Sequence, residues 1–144
     1  MLTINPYLNF NGDTEKAFNF YKSVFGGEFD SIQRFKDVPG LPGAEAMTDS
    51  EKEGIMHVAL PLGNGNTLMG SDNVPSLGHP KADGNNISLS LNVGSKEEAD
   101  RLFSGLSAGG QVEMPLADMF WGAYFGMFTD KFGIRWMVNY EYPR

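Results

Sequence analysis

Segments in which hydrophobic and polar residues alternate are separated, along this chain, by segments with helical spacing. Residues 3–10 alternate and predict a strand. Apolar positions then recur at helical spacing, which predicts a helix with Asp13 as its N-cap. Gly26-Gly27 ends the helical pattern, and residues 28–35 predict the next strand.

The second half of the chain repeats this order. Residues 86–93 predict a strand, Ser95 with Glu98 forms a capping box, and Gly109-Gly110 closes the helix that follows. A short strand is predicted over residues 111–114, where Pro115 limits it. A hairpin completes each half, at residues 55–71 and at residues 121–140.

These patterns predict an α+β fold, a tandem βαβββ repeat whose mixed sheets form a curved cup with helices on the outer face. We expect a single domain over residues 1–144, with one module at about 1–72, a linker at about 73–85 and a second module at about 86–144. The segments 36–54 and 72–84 are rich in proline and polar residues, so surface linkers are predicted, with a lid or subunit contact as the alternative.

The second hairpin separates two sets of side chains. Asp130 is predicted to open its turn and to bind local amides. Alternation in the last strand places Ile134, Trp136, Val138 and Tyr140 on the helix-covered side, and Arg135, Met137 and Asn139 on the other. The aromatic cluster before the turn lines either a pocket or a dimer interface: Phe120, Trp121, Tyr124 and Phe125.

Composition narrows the function classes. The chain has no Cys, which removes disulfides and thiol chemistry. A net charge of −7 with eleven Lys and Arg gives no basic footprint for nucleic acid or anionic membrane. No apolar run approaches the ~20 residues of a spanning helix, and a cytoplasmic protein is the expectation.

Several motifs resemble one protein family over nearly the whole chain. They are the segment 5–12, Met69-Gly70-Ser71-Asp72, Phe120-Trp121 and the segment 129–139. This chain resembles the PhnB-like branch of the vicinal oxygen chelate superfamily, which contains glyoxalases, bleomycin-resistance proteins and extradiol dioxygenases. The resemblance implies the tandem fold and a homodimer. A methyltransferase label has circulated for the branch, but no glycine-rich turn here joins a strand to a helix N-terminus.

Metal-dependent members of the superfamily place His or Glu ligands on the inner face of the sheet. The resemblance matches these positions to Asn5 or Pro6 in the first strand, Asn86 in the fifth and Met137 in the last. Amides and a thioether seldom hold a transition metal without a stronger donor. We therefore expect no metal and no cofactor.

The predicted function is metal-independent binding of a small molecule, and Arg135 would supply a positive charge suited to an anionic group. The residues expected to line the site are Asn5, Tyr7, Asn9, Ser88, Ser90, Trp121, Arg135, Met137 and Asn139. The alternative is a metal-dependent isomerase, lyase or dioxygenase that uses a non-standard site at His57 and Asp72, where the carboxylate would orient the imidazole as a base. His79 is predicted to lie on the surface of the linker.

Overall fold

The computed structural model describes residues 2–144 and divides the chain into two compact units, the first ending at Asp83 and the second beginning at Gly84. The division falls within the predicted linker. The first unit contains β1 (Tyr7–Phe10), α1 (Thr14–Phe25), β2 (Ser31–Arg34), α2 (Asp49–Lys52), β3 (Ile55–Gly63) and β4 (Asn66–Asp72). The second contains β5 (Leu89–Asn92), α3 (Lys96–Ser107), β6 (Gln111–Met119), β7 (Ala123–Thr129) and β8 (Arg135–Glu141).

Sheet topology confirms the repeat. The strand order is β1-β4-β3-β2 in the first unit and β5-β8-β7-β6 in the second. In each sheet the first strand pairs in parallel with the last, and the other pairs are antiparallel. The α+β class predicted from the sequence is therefore confirmed.

Helix α1 covers one face of the first sheet. Phe18 and Tyr21 are 1% and 0% exposed, and Phe18 meets Phe10 edge-to-face at 6.4 Å between ring centroids. Gly70 of β4 makes this approach possible, because a Cβ there would lie 2.7 Å from Phe18 Cε1.

The structure confirms Asp13 as the N-cap residue of α1, but another side chain supplies the capping hydrogen bonds. Asp13 occupies the cap position but its carboxylate makes no capping hydrogen bond. The buried Asp72 takes that role, since its Oδ1 accepts from the Gly12 and Thr14 amides at 3.1 and 3.0 Å and from Thr14 Oγ1 at 2.6 Å. A residue far along the chain thus holds the positive end of the helix.

The segment 36–54, predicted to be a surface linker, contributes side chains to a small core. Thr48 and Glu51 form a capping box at the start of α2. Met47 is buried with Phe35 and with Val74 from the predicted linker, and the partly buried Leu41, Met56 and Leu77 pack against them. Sparse apolar residues from three separate segments build this small core, which is why local composition missed it.

In the second unit α3 packs on β7 and β8. Phe103 meets Phe128 edge-to-face at 5.0 Å between centroids, and Trp136 is 1% exposed. Strand β6 runs past Pro115 to Met119, whereas a stop at Met114 was predicted. Register shifts between Val112 and Met114 and between Met114 and Ala117 accommodate the proline. None of the helices within residues 2–144 is long and apolar enough to cross a bilayer.

Candidate functional site

The face of each sheet opposite its own helix carries most of the predicted site residues, and we call it the open face of that unit. On the open face of the first unit Tyr7 and Asn9 alternate with the buried Phe10. The parallel register places Tyr7 beside Met69 and Asn9 beside Ser71, and Ser71 Oγ donates to Asn9 Oδ1 at 3.4 Å. Tyr7 is 44% exposed, so its ring is available at the surface of this unit.

Asn5 precedes β1 and has a structural contact. Its Oδ1 accepts a hydrogen bond from the Thr67 amide at 3.2 Å, next to the bond from the Met69 amide to the Pro6 carbonyl at 3.1 Å. The side chain therefore extends the β1–β4 ladder by one step. That oxygen is the donor atom which a metal at the first-strand position would require.

His57 and Asp72 do not form the predicted pair. Asp72 is 5% exposed, and in addition to the α1 amides it accepts from the Ile55 amide through Oδ2 at 2.8 Å. Its carboxylate is thus satisfied by structural donors. His57 lies on the open face, where Nδ1 is 3.3 Å from the Tyr7 hydroxyl oxygen and the two rings are 5.8 Å apart.

The open face of the second unit carries Ser90, Met137 and Asn139. The register places Ser90 beside Met137 and Asn92 beside Asn139, whose Nδ2 donates to Asn92 Oδ1 at 3.2 Å. Here the alternation predicted for the last strand is confirmed, because Trp136 and Val138 are 1% and 0% exposed. A cavity of about 390 Å³ lies at this end of β5 and β8, lined by Asn92, Val93, Asn139 and Glu141.

Arg135 lies on the same strand face but its guanidinium is already engaged. Nη1 donates to the Asn85 carbonyl at 2.6 Å, and Nη2 donates to Glu113 Oε2 at 3.1 Å. The Thr129 hydroxyl donates to Glu113 Oε1 at 2.6 Å. Thr129 and then Arg135 hold the pKa of Glu113 below its ordinary value, because both bind the ionised carboxylate. An anion at Arg135 would have to compete with Glu113.

The remaining predicted site residues lie outside the open-face strands. Ser88 is partly buried just before β5. Trp121 lies with Phe120 in the turn between β6 and β7, where the two rings meet edge-to-face at 5.0 Å. Phe120 is 97% exposed and Trp121 is 55% exposed. Sequence reasoning grouped Tyr124 with them, but its hydroxyl donates to Asp100 Oδ1 of α3 at 2.6 Å.

A hydrogen-bonded clamp that the sequence did not reveal holds this turn. The Tyr142 amide donates to the Gly122 carbonyl at 3.1 Å, and the Tyr142 hydroxyl donates to Asp118. The bond to Asp118 raises the pKa of Tyr142, and the bond to Asp100 raises the pKa of Tyr124 to about 12. The signal in the sequence was a pair of tyrosines, Tyr140 at the end of β8 and Tyr142 just after it, which alternation alone does not assign to a partner.

The residues present do not fit the metal that the superfamily implies. Asn5 uses its amide oxygen in the β1–β4 ladder, and Met137 offers only a thioether beside Ser90. Within residues 2–144 no group of three or more His, Cys, Asp or Glu side chains is placed to hold a metal ion. Among the described residues, Asn5, His57 and Met137 are therefore separate donors and do not form a site for a divalent ion.

Comparison with known proteins defines the class of protein to which this chain belongs. The chain belongs to the glyoxalase/bleomycin resistance protein/dioxygenase superfamily, whose family model matches residues 3–138.

Individual relatives show which members of the superfamily this chain resembles. The chain is 32% identical to protein YjdN of Escherichia coli K12, with 96% of this chain and 95% of that protein covered. It is similar to the crystal structure of protein PA1353 from Pseudomonas aeruginosa, at 45% identity and a TM-score of 0.84, covering 98% of each chain. A Bacillus cereus PhnB protein, described as a putative 3-demethylubiquinone-9 3-methyltransferase, matches at 29% identity and a TM-score of 0.74, covering 96% of this chain and 99% of that one. The resemblance to PhnB-like proteins is confirmed.

Proposed function

We propose that this protein binds a small molecule on the open faces of its sheets and does so without a metal ion. The observation that carries the proposal is the cavity of about 390 Å³ beside Asn92 and Asn139. Each sheet has one face packed by its helix, and the opposite face presents amides, hydroxyls and a thioether, with His57 in the first unit and Glu141 beside the cavity of the second. Such groups orient a ligand by hydrogen bonds.

Metal independence is supported by the chemistry of the side chains. The superfamily resemblance matches the His and Glu positions of metal-dependent members to Asn5 or Pro6, Asn86 and Met137 of this chain. In the enzymatic alternative, Asp72 would orient the His57 imidazole. Its carboxylate instead accepts four structural hydrogen bonds, so it does not serve that role. We therefore favour binding over the metal-dependent reaction.

Homodimerisation is part of the proposal. Phe120 and Trp121 project from the β6–β7 turn, and Val112 and Met114 of β6 are 45% and 39% exposed. Exposed aromatic residues on a turn held by a clamp are suited to burial against a second copy. The cytoplasmic location, and the absence of nucleic-acid and membrane partners, stay predictions from the sequence.

The test is a thermal-shift screen of small molecules on metal-stripped protein. A ligand at one hundred times its Kd should stabilise the fold by about 2.7 kcal/mol. Asn139→Ala should abolish the stabilisation given by ligands of the second open face. Asn19→Ala, on the exposed surface of α1, is the matched control and should respond like the unmodified protein. A screen in which no neutral or charged compound stabilises the protein would contradict the proposed function.

A further inference from the structure

A row of neutral polar side chains crosses the open face of the first unit. Gln33 of β2 is paired with His57 of β3, and Ser71 of β4 is paired with Asn9 of β1. Since Val58 pairs with Gly70, the antiparallel register brings His57 opposite Ser71. The row therefore has one member from each of the four strands.

Tyr7 adds a second hydrogen-bonding partner to this row. Its hydroxyl oxygen is 3.3 Å from His57 Nδ1, so one of the two groups donates to the other. If Tyr7 donates, His57 presents Nε2–H as a donor and the phenol oxygen remains an acceptor. If Nδ1–H donates, Tyr7 presents its O–H as a donor and Nε2 is the acceptor. With a neutral imidazole, the pair offers one donor and one acceptor in either tautomer.

The charge of this row restricts its ligand further. Gln33, Ser71, Asn9 and Tyr7 carry no charge at neutral pH, and the cross-strand neighbours Ala59 and Met69 are also uncharged. A charged group held here would lose hydration without gaining a counter-ion from these side chains. A neutral group with a donor beside an acceptor would keep its hydrogen bonds on both sides.

We propose that His57 and Tyr7, with Gln33, Ser71 and Asn9 beside them, bind a neutral amide-like group. The ligand class is a molecule with an uncharged carboxamide or lactam, whose N–H and C=O meet the acceptor and the donor of the pair. The 44% exposed Tyr7 ring gives an apolar surface for the rest of the molecule. This inference rests on the proposed function, to which it adds the site residues in the first unit and the ligand class.

Three probes of nearly the same shape test the charge and the hydrogen bonds separately. Benzamide is neutral and has both a donor and an acceptor, benzoate is an anion with acceptors only, and benzamidinium is a cation with donors only. Each is titrated into the full, isotope-labelled chain at neutral pH while the amide and histidine-ring NMR signals are followed. We expect benzamide to shift the signals of His57, Asn9 and Gln33 with a Kd on the order of millimolar, as for fragments of this size, and the charged probes to bind at least about tenfold more weakly.

Variants test the two partners. His57→Leu should weaken benzamide about tenfold, and Tyr7→Phe several-fold, because each removes hydrogen bonds worth roughly a factor of two to ten. His57→Gln keeps a donor and an acceptor and should stay within about threefold of the unmodified protein. Asn19→Ala on α1 should leave binding unchanged. Unfolding curves of each variant show whether weaker binding reflects a lost contact or a lost fold.

The outcomes separate this inference from the proposed function. Equal or tighter binding of benzoate or benzamidinium at His57, or benzamide binding that His57→Leu and Tyr7→Phe leave unchanged, would overturn the inference. Benzamide shifts confined to Ser90, Met137 and Asn139 would overturn it too, while leaving small-molecule binding intact. If none of the three probes binds on either open face, the amide-site inference is overturned. The proposed function is contradicted as well only if the thermal-shift screen finds no stabilising compound.

Discussion

At the scale of single residues, the most consequential side chain is Asp72. Its two oxygens join the start of α1 to β3 through three backbone amides and the Thr14 hydroxyl. Buried groups left without a partner are costly, and hydrogen bonds to a charged acceptor are the stronger ones. Asp72 is therefore a structural residue in this fold.

We predict that Asp72→Asn lowers the free energy of unfolding by about 2–4 kcal/mol, because an amide cannot accept on both sides and would turn one N–H toward a donor. Asp13→Asn is the matched control and should cost less than about 0.5 kcal/mol, since its carboxylate caps nothing. Urea unfolding measures both. A larger loss for Asp13→Asn than for Asp72→Asn would contradict the assignment.

The pair of Arg135 and Glu113 gives a second prediction at this scale. Glu113→Gln keeps the shape of the side chain but removes the charge that occupies the guanidinium. We expect this variant to bind benzoate near Arg135 at least about tenfold more tightly than the unmodified protein. The guanidinium would then be free to make a charge-assisted hydrogen bond to benzoate, and such a bond has an energy in this range. Calorimetry with Glu113→Gln/Arg135→Ala as the control checks it. Equal benzoate affinity in the single variant and the unmodified protein would show that Glu113 does not limit access.

At the scale of elements, the sequence predicted the repeat but not every boundary. Hydrophobic periodicity and Gly-Gly stops located α1, α3 and both hairpins because these signals are local. The side chain that caps α1 could not be predicted because Asp72 lies 58 residues from Thr14. Pro115 was taken as the end of β6 because a proline removes one ladder bond, and the register shifts around it depend on the neighbouring strand.

In the candidate site, too, the features set by local sequence were predicted and those set by distant residues were not. Alternation placed Arg135, Met137 and Asn139 on one face, as the structure has them, since period two is set by the strand itself. The partners of Arg135 and His57 come from other strands or segments, so these contacts could not be predicted from the sequence.

The clamp at the C-terminal end of β8 can be tested as an element. Ending the chain after Glu141 removes the Tyr142 bonds to Gly122 and Asp118. Hydrogen exchange should then accelerate in residues 119–123 and stay unchanged in α1 of the other unit. Unchanged exchange in the turn would mean that Tyr142 does not hold it.

Alkaline pH tests the neighbouring bond between Tyr124 and Asp100. The folded pKa of Tyr124, about 12, lies above its ordinary value of 10.0, so this bond stabilises the fold fully below pH 10. The contribution is lost as pH rises from 10 through about 12. Tyr124→Phe should remove this part of the alkaline decline in the unfolding midpoint. An identical decline in the variant would contradict the role given to the bond.

At the scale of the whole molecule, the exposed turn predicts self-association. Light scattering at micromolar concentration should give about twice the chain mass of 15.8 kDa. Replacing Phe120 and Trp121 together by Ser should shift the protein toward the monomer, whereas Ile32→Ser, at a side chain 44% exposed on β2, is the control at another exposed apolar position. If the unmodified protein is a monomer at high concentration, the aromatic turn does not mediate self-association.

Ligand binding without a metal is the claim on which the account depends. Its most direct test is calorimetry with a compound from the thermal-shift screen, on protein treated with EDTA and on protein supplied with Zn²⁺, Ni²⁺ or Mn²⁺. We predict the same Kd in every sample within about threefold, roughly 0.7 kcal/mol. Binding that disappears with EDTA and returns with one metal, together with about one such ion per chain that His57→Ala removes, would contradict the account.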